Sequence, residues 1–137
     1  MYRTHFLMVV IGAFGIDLAF GDSPDRYVCA GRPVEIVHSI SDLPDEVQVL
    51  LGYRRTGIDG LVDSDAKLNT TDPNLPMRRF TWAALNSDCV FALVERAGHD
   101  RFEVFDFRHA PQRWISNNHW FYSREAPTVA MVMHGVK

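Results

Sequence analysis

Basic surplus, catalytic signatures and long apolar runs are all missing from this 137-residue chain, and cysteine occurs only twice. Lysine and arginine number 14 against 17 aspartates and glutamates, a formal charge of −3. A nucleic-acid binder normally carries a basic excess or stripe. The adjacent pairs Arg54-Arg55 and Arg78-Arg79 are too short along the chain to form a polybasic patch, so nucleic acid is not expected as a partner. The longest apolar run, Phe6–Ile16, has eleven residues, well short of the ~20 that span a bilayer.

No HExxH, GxSxG or phosphate-loop pattern occurs. His38, His99, His109, His119 and His134 are never three to five residues apart, so no local metal-ligand spacing arises. Asp63-Ser64-Asp65 begins like a calcium loop. Lys67, Leu68 and Asn74 then occupy the positions that need an oxygen ligand, a glycine and a bidentate glutamate. Neither a metal nor a cofactor is expected.

What is present is enough for one folded domain: 47% hydrophobic and 12% aromatic residues support a real core. The N-terminus reads as a secretory leader. Arg3 and His5 precede the apolar run, and Ala19-Phe20-Gly21 places small residues at −3 and −1 of a cleavage site before Asp22. Asp17 interrupts the pattern, and the competing reading is a buried N-terminal helix or strand. The expected division is a cleavable signal over 1–21 and a single globular domain over 22–137, soluble and periplasmic or secreted. Cleavage removes Arg3 and Asp17, leaving 13 basic against 16 acidic residues and the same charge of −3. Cys29 follows Asp25-Arg26-Tyr27-Val28, the wrong context for a lipid anchor.

Two cysteines in an exported chain are expected to pair, so a Cys29–Cys89 bridge is predicted. The alternatives are two separate buried thiols, or Cys89 beside Asp88 acting as a nucleophile.

Residues 22–33 are rich in turn formers and Val34–Ile40 suits a short strand. Ser41 to Glu46 supplies capping residues, a proline and two carboxylates. Leu43, Val47, Leu50 and Leu51 then recur at helical spacing and Gly52 is placed to stop the helix. Residues 53–77 read as a long polar loop, which often carries function. Arg78–Leu85, Cys89–Arg96 and Arg101–Phe107 are three period-two runs with short polar connections, predicting an antiparallel meander. Phe80, Trp82 and Ala84 are expected on one face of the first strand. Phe91 and Leu93, then Phe102 and Val104, are expected to share faces of the next two. Residues 108–125 resist assignment, and Val129–Met133 is expected to be a last strand. The fold class is α+β: an antiparallel meander centred on 78–107 with one short helix packed against it.

Glu95 and Asp106 fall near adjacent strand ends, where a carboxylate pair would suit a small hydrolase, although solvated strand-end charges are commoner. Trp114, Trp120 and Tyr122 either cap the sheet's core or supply anchors at an interface. Asn69-Thr70-Thr71 is a glycosylation sequon.

Leu43-Pro44 to Gly52, the Asn69-Thr70-Thr71-Asp72 loop, Pro76-Met77-Arg78-Arg79-Phe80 and the hairpin through Val94-Glu95-Arg96 resemble small uncharacterised exported proteins of Gram-negative bacteria. The likeness spans about half the chain. Such proteins often have Gly-Gly after the second strand, where this chain has Ala97-Gly98. Some of that group are periplasmic immunity partners of toxins or inhibitors of wall-degrading enzymes, and the resemblance transfers no catalytic residue. Export, small size, the lack of a catalytic motif and a long polar loop beside an aromatic-rich sheet favour a periplasmic, non-enzymatic binding protein, an inhibitor or immunity protein acting on a partner protein such as a toxin or an envelope enzyme. Contacts are then expected from Asp59, Asp63, Asp65 and Asp72 in the long loop and from exposed Trp114, Trp120 and Tyr122. A carboxylate-pair hydrolase and a structural envelope component are the alternatives.

Overall fold

The computed structural model describes residues 27–68, 71–72, 74–98 and 101–135. The leader and cleavage site, the sequon residues Asn69 and Thr70, and His99 with Asp100 lie outside them.

Three long strands form the meander where period two places them: β5 (Arg78–Leu85), β6 (Cys89–Arg96) and β7 (Arg101–His109). A fourth, β8 (Trp114–Ser123), extends it through a turn closed by Ala110 and Arg113, whose backbones bond each other. On the far side, β5 is flanked along its first half by parallel β4 (Leu61–Val62). Along its second half it is flanked by antiparallel β3 (Glu35–Val37). The order is β3-β5-β6-β7-β8, with β4 sharing the β5 edge. A separate two-stranded hairpin, β1 (Val28–Cys29) with β2 (Arg32–Pro33), precedes it. Its two-residue turn, Ala30 and Gly31, has positive φ at both positions, the hairpin geometry matched to strand twist.

Both faces of the sheet are covered. On the first, α1 (Asp45–Leu51) lays Val47 and Leu51 onto Phe80, Ala83, Val90, Ala92, Val94 and Phe107. The helix follows Pro44 and ends at Gly52, whose φ of 98° and crowded surroundings suit only glycine; an added Cβ would stand 2.9 Å from the Asp59 carbonyl. On the second face, Tyr27, Cys29 and Val34 of the arm join Val132 and Met133 over Trp82, Ala84, Phe91, Leu93 and Val104. The Cys29–Cys89 disulfide pins the arm to β6, with Cα atoms 6.3 Å apart. Asn86 reinforces it: its Nδ2 donates to the Cys29 and Arg32 carbonyls while its Oδ1 accepts from the amides of Asp88 and Cys89.

Two expectations are corrected. Val129–His134 is not a strand but a helix, α2, whose N-cap Thr128 hydroxyl accepts from the Met131 amide at 3.2 Å. Burial of Val132 and Met133 on the sheet outweighs the β-branched local preference. Phe80 does not share a face with Trp82 and Ala84, because the β5–β6 register shifts between Phe80 and Trp82. The extra residue, Thr81, turns Phe80 toward α1 and leaves Trp82 with the arm. Residues 53–77 also carry more structure than a loop, including a 3₁₀ turn at Gly57–Asp59 and β4. No helix among the described residues is long and apolar enough to cross a membrane.

Candidate functional site

β7 alternates strictly on the α1 face, so Arg101, Glu103, Phe105 and Phe107 project together there. β8 brings Phe121 opposite Glu103 and His119 opposite Phe105. The rings form a continuous row. Phe107 stacks on Phe105 at 6.2 Å, Phe105 on His119 at 4.3 Å, and His119 meets Phe121 at 4.5 Å. Arg101 closes the row with its guanidinium carbon 3.8 Å from the Phe121 ring centre.

α1 covers only part of this face. Beyond Leu50 and Leu51 lies a cleft of about 550 Å³ lined by the rings of Phe105, His119 and Phe121 and by arginines, with Arg78 over Phe105 at 5.5 Å and Arg101 over Phe121. The arginines come from four elements but meet by register: Arg78 of β5 is paired with Arg96 of β6, and Arg96 with Arg101 of β7. Arg55, after α1, lines the same cleft. Like charges directly opposite on neighbouring strands are unfavourable unless something neutralises them. Glu103, buried on β7, does so in part, accepting from Arg96 Nε at 3.3 Å with His119 Nε2 at 3.6 Å. Asp59 lines the cleft as well. Four guanidiniums thus face two carboxylates, a surplus of two positive charges in a chain whose total is −3.

Arg78 is the most constrained of the four. It is 6% exposed, and its Nη1 donates to the carbonyls of Leu51 at 2.8 Å and Asp59 at 3.0 Å, anchoring helix and turn to the sheet. Its Nε is buried and has no acceptor among the described residues. Burial pulls its pKa below the usual arginine range; Glu103 opposes this, and Arg96 adds to it. The group remains a cation with part of its hydrogen-bonding capacity unused.

The residues expected from sequence do not converge. Asp59 reaches the cleft. Asp63 is a structural tether: its carboxylate accepts from the Ile40 amide, the Ser39 hydroxyl and its neighbour's amide at 2.8–3.0 Å. Asp72 accepts from the Asn74 amide at 2.9 Å, a local turn, and Asp65 is exposed. Trp114 is buried at 9% exposure among the α1-face core residues and so is not an exposed anchor. Trp120 and Tyr122 are half-buried on the opposite face, against the arm and α2; Tyr122 bonds the Met131 carbonyl. Replacing Trp120 by alanine is therefore expected to destabilise the fold by roughly 2 kcal/mol, about half the cost of truncating a fully buried aromatic. Urea unfolding of the variant checks this, and an unchanged midpoint would place Trp120 outside the core.

Glu95 and Asp106 do not form a pair. Asp106 sits opposite Phe91, four residues along β6 from Glu95, roughly 13 Å at ~3.3 Å per residue. A glycosidase pair needs ~5–9.5 Å. Each is also ion-paired: Glu95 with Arg79 beside a smaller hollow of about 360 Å³, and Asp106 with Arg108. Among the described residues no three His, Cys, Asp or Glu side chains converge as for a metal ion.

The arginine row escaped sequence reading, which looked for basic clusters along the chain. A sheet assembles charge across strands. The available signal was the β6–β7 connection, where Arg96 and Arg101 bracket the turn and so face each other once the hairpin closes.

No protein-family model, curated protein or solved structure matches the chain.

Proposed function

We propose that the domain is an exported, non-enzymatic binding protein of the immunity or inhibitor kind, and that it engages a partner protein through the α1–β8 cleft. One observation carries this reading: a cationic hollow, bordered by the exposed side chains of Leu50, Phe121 and Arg101, on a sheet whose other face is closed by the arm and α2. Arginine and large aromatics dominate binding energy at protein interfaces. Glu95 and Asp106, the carboxylates of the hydrolase alternative, are each held by an arginine. Export is supported by the leader-like N-terminus and by the disulfide, which persists in oxidising compartments.

Site-specific photocrosslinking tests the reading. A photoreactive phenylalanine analogue at Leu50, on the cleft rim, is expected to trap a discrete protein adduct in the periplasm. The same analogue at exposed Val28, on the arm, is expected to trap none. Equal labelling from both positions, or no adduct at Leu50, would contradict it.

A further inference from the structure

We infer that the cross-strand row Arg78–Arg96–Arg101, with Arg55 beside it, is a receptor for carboxylate side chains on an extended acidic segment of a partner protein. This rests on the binding reading above and names the chemistry of the bound group.

The row is costly as it stands. Arg78, Arg96 and Arg101 face one another on three consecutive strands, and Glu103 takes only Arg96 in a direct ion pair. A fold with no use for the row would be relieved by replacing one member with a neutral residue. Arg78 adds a second, independent indication. Its guanidinium is buried, held by two backbone carbonyls on one nitrogen over the Phe105 ring at 5.5 Å, with no counter-charge in direct contact among the described residues. Fixing a cation in this way before a ligand arrives removes the entropic cost of ordering it on binding.

A carboxylate entering the cleft supplies the missing counter-charge, in contact with exposed Arg101 and Arg55 and at longer range for buried Arg78. Guanidinium and carboxylate match in geometry, and their hydrogen bonds are charge-assisted. The neighbouring surface fits the rest of a peptide rather than a bare anion. Phe121 is 46% exposed and Leu50 43% exposed, and the ring row continues between Arg101 and the core. In an extended segment, alternate side chains point the same way. Acidic residues can therefore meet the arginines while apolar ones lie along Phe121 and Leu50. The cleft's charge surplus is opposite in sign to such a segment, which favours encounter at low salt.

The test uses the full oxidised protein and three probes: a capped peptide alternating glutamate with leucine, its glutamine counterpart, and sodium phosphate. Binding is followed by calorimetry and by the arginine side-chain Nε–H signals in NMR. The glutamate peptide is expected to bind at least tenfold more tightly than the glutamine peptide, to shift the Nε–H signal of exposed Arg101, and to weaken as salt rises. Arg101→Gln and Arg55→Gln, both at exposed positions, should each weaken it at least threefold without moving the thermal midpoint.

Equal affinity for both peptides, or a glutamate peptide that leaves the Arg101 signal unmoved, would overturn the proposal. Phosphate binding tighter than either peptide would assign the site to a free anion and overturn it too, as would no binding by any probe. A crosslinked partner at Leu50 without peptide binding leaves the docking face standing and removes the carboxylate chemistry. Peptide binding without a crosslinked partner does the reverse.

Discussion

Replacing both Cys29 and Cys89 by serine is expected to remove about 4 kcal/mol of stability, the chain-entropy value for a crosslink closing a loop of 60 residues. On a domain of this size that lowers the thermal midpoint by on the order of 20 °C. The loss should exceed that of an ordinary surface disulfide, because Cys89 is fully buried and Cys29 nearly so. The pair joins an arm that otherwise reaches the sheet through few groups: the Asn86 side chain, the Arg32 contacts with Ser87 and Asp88, and the apolar contacts of Tyr27 and Val34. Without the bridge, the arm's cover over Trp82 and Phe91 depends on non-covalent contacts such as these and the Tyr27–His134 ring contact. Thermal unfolding of the double variant, and of the wild type with reductant, should agree. A double variant within about 1 kcal/mol of wild type would show that the arm holds itself in place.

Asp106→Ala is the second large change, expected to cost about 3 kcal/mol. Asp106 is 3% exposed and accepts from Arg108 Nε at 2.8 Å, Arg108 Nη2 at 3.3 Å and Asn117 Nδ2 at 3.0 Å. Arg108 in turn lies over Phe91 and donates toward both disulfide sulfurs, so the carboxylate sets the position of a cation at the junction of arm and sheet. Removing one partner of a buried pair strands the other, typically at 3–5 kcal/mol; the Arg108 side chain is 26% exposed, which places this case at the lower end. Removing both, in Asp106→Ala with Arg108→Met, should restore part of the loss. Urea denaturation of the two variants decides it. A single variant costing less than 1 kcal/mol would mean that Asp106 holds nothing.

The meander was legible because alternation and turn residues agree there. β5 and β6 begin and end where the pattern places them, and β7 runs two residues further. Three features were not. Thr81 adds a residue to β5 without disturbing its composition, so the change of face after Phe80 leaves no trace in a two-residue period. Val129–His134 has the side chains of a strand and becomes a helix through a cap and a surface to cover. β8 contains Ser116-Asn117-Asn118-His119, poor strand formers held extended by pairing with β7, with Asn117 displaced where the register shifts. The site followed from the same limitation. Its arginines span 46 positions from Arg55 to Arg101; sheet register joins Arg78, Arg96 and Arg101, and Arg55 reaches the cleft from the segment after α1.

The most direct test of the cleft as the docking face is the affinity of the protein trapped from Leu50 for three forms of the domain: wild type, Phe121→Ala and Arg101→Gln. Both changes lie at exposed positions, so each variant should remain folded at the assay temperature, as a thermal unfolding curve checks. The account predicts at least a tenfold loss of affinity in each. Undiminished affinity in both variants would contradict it.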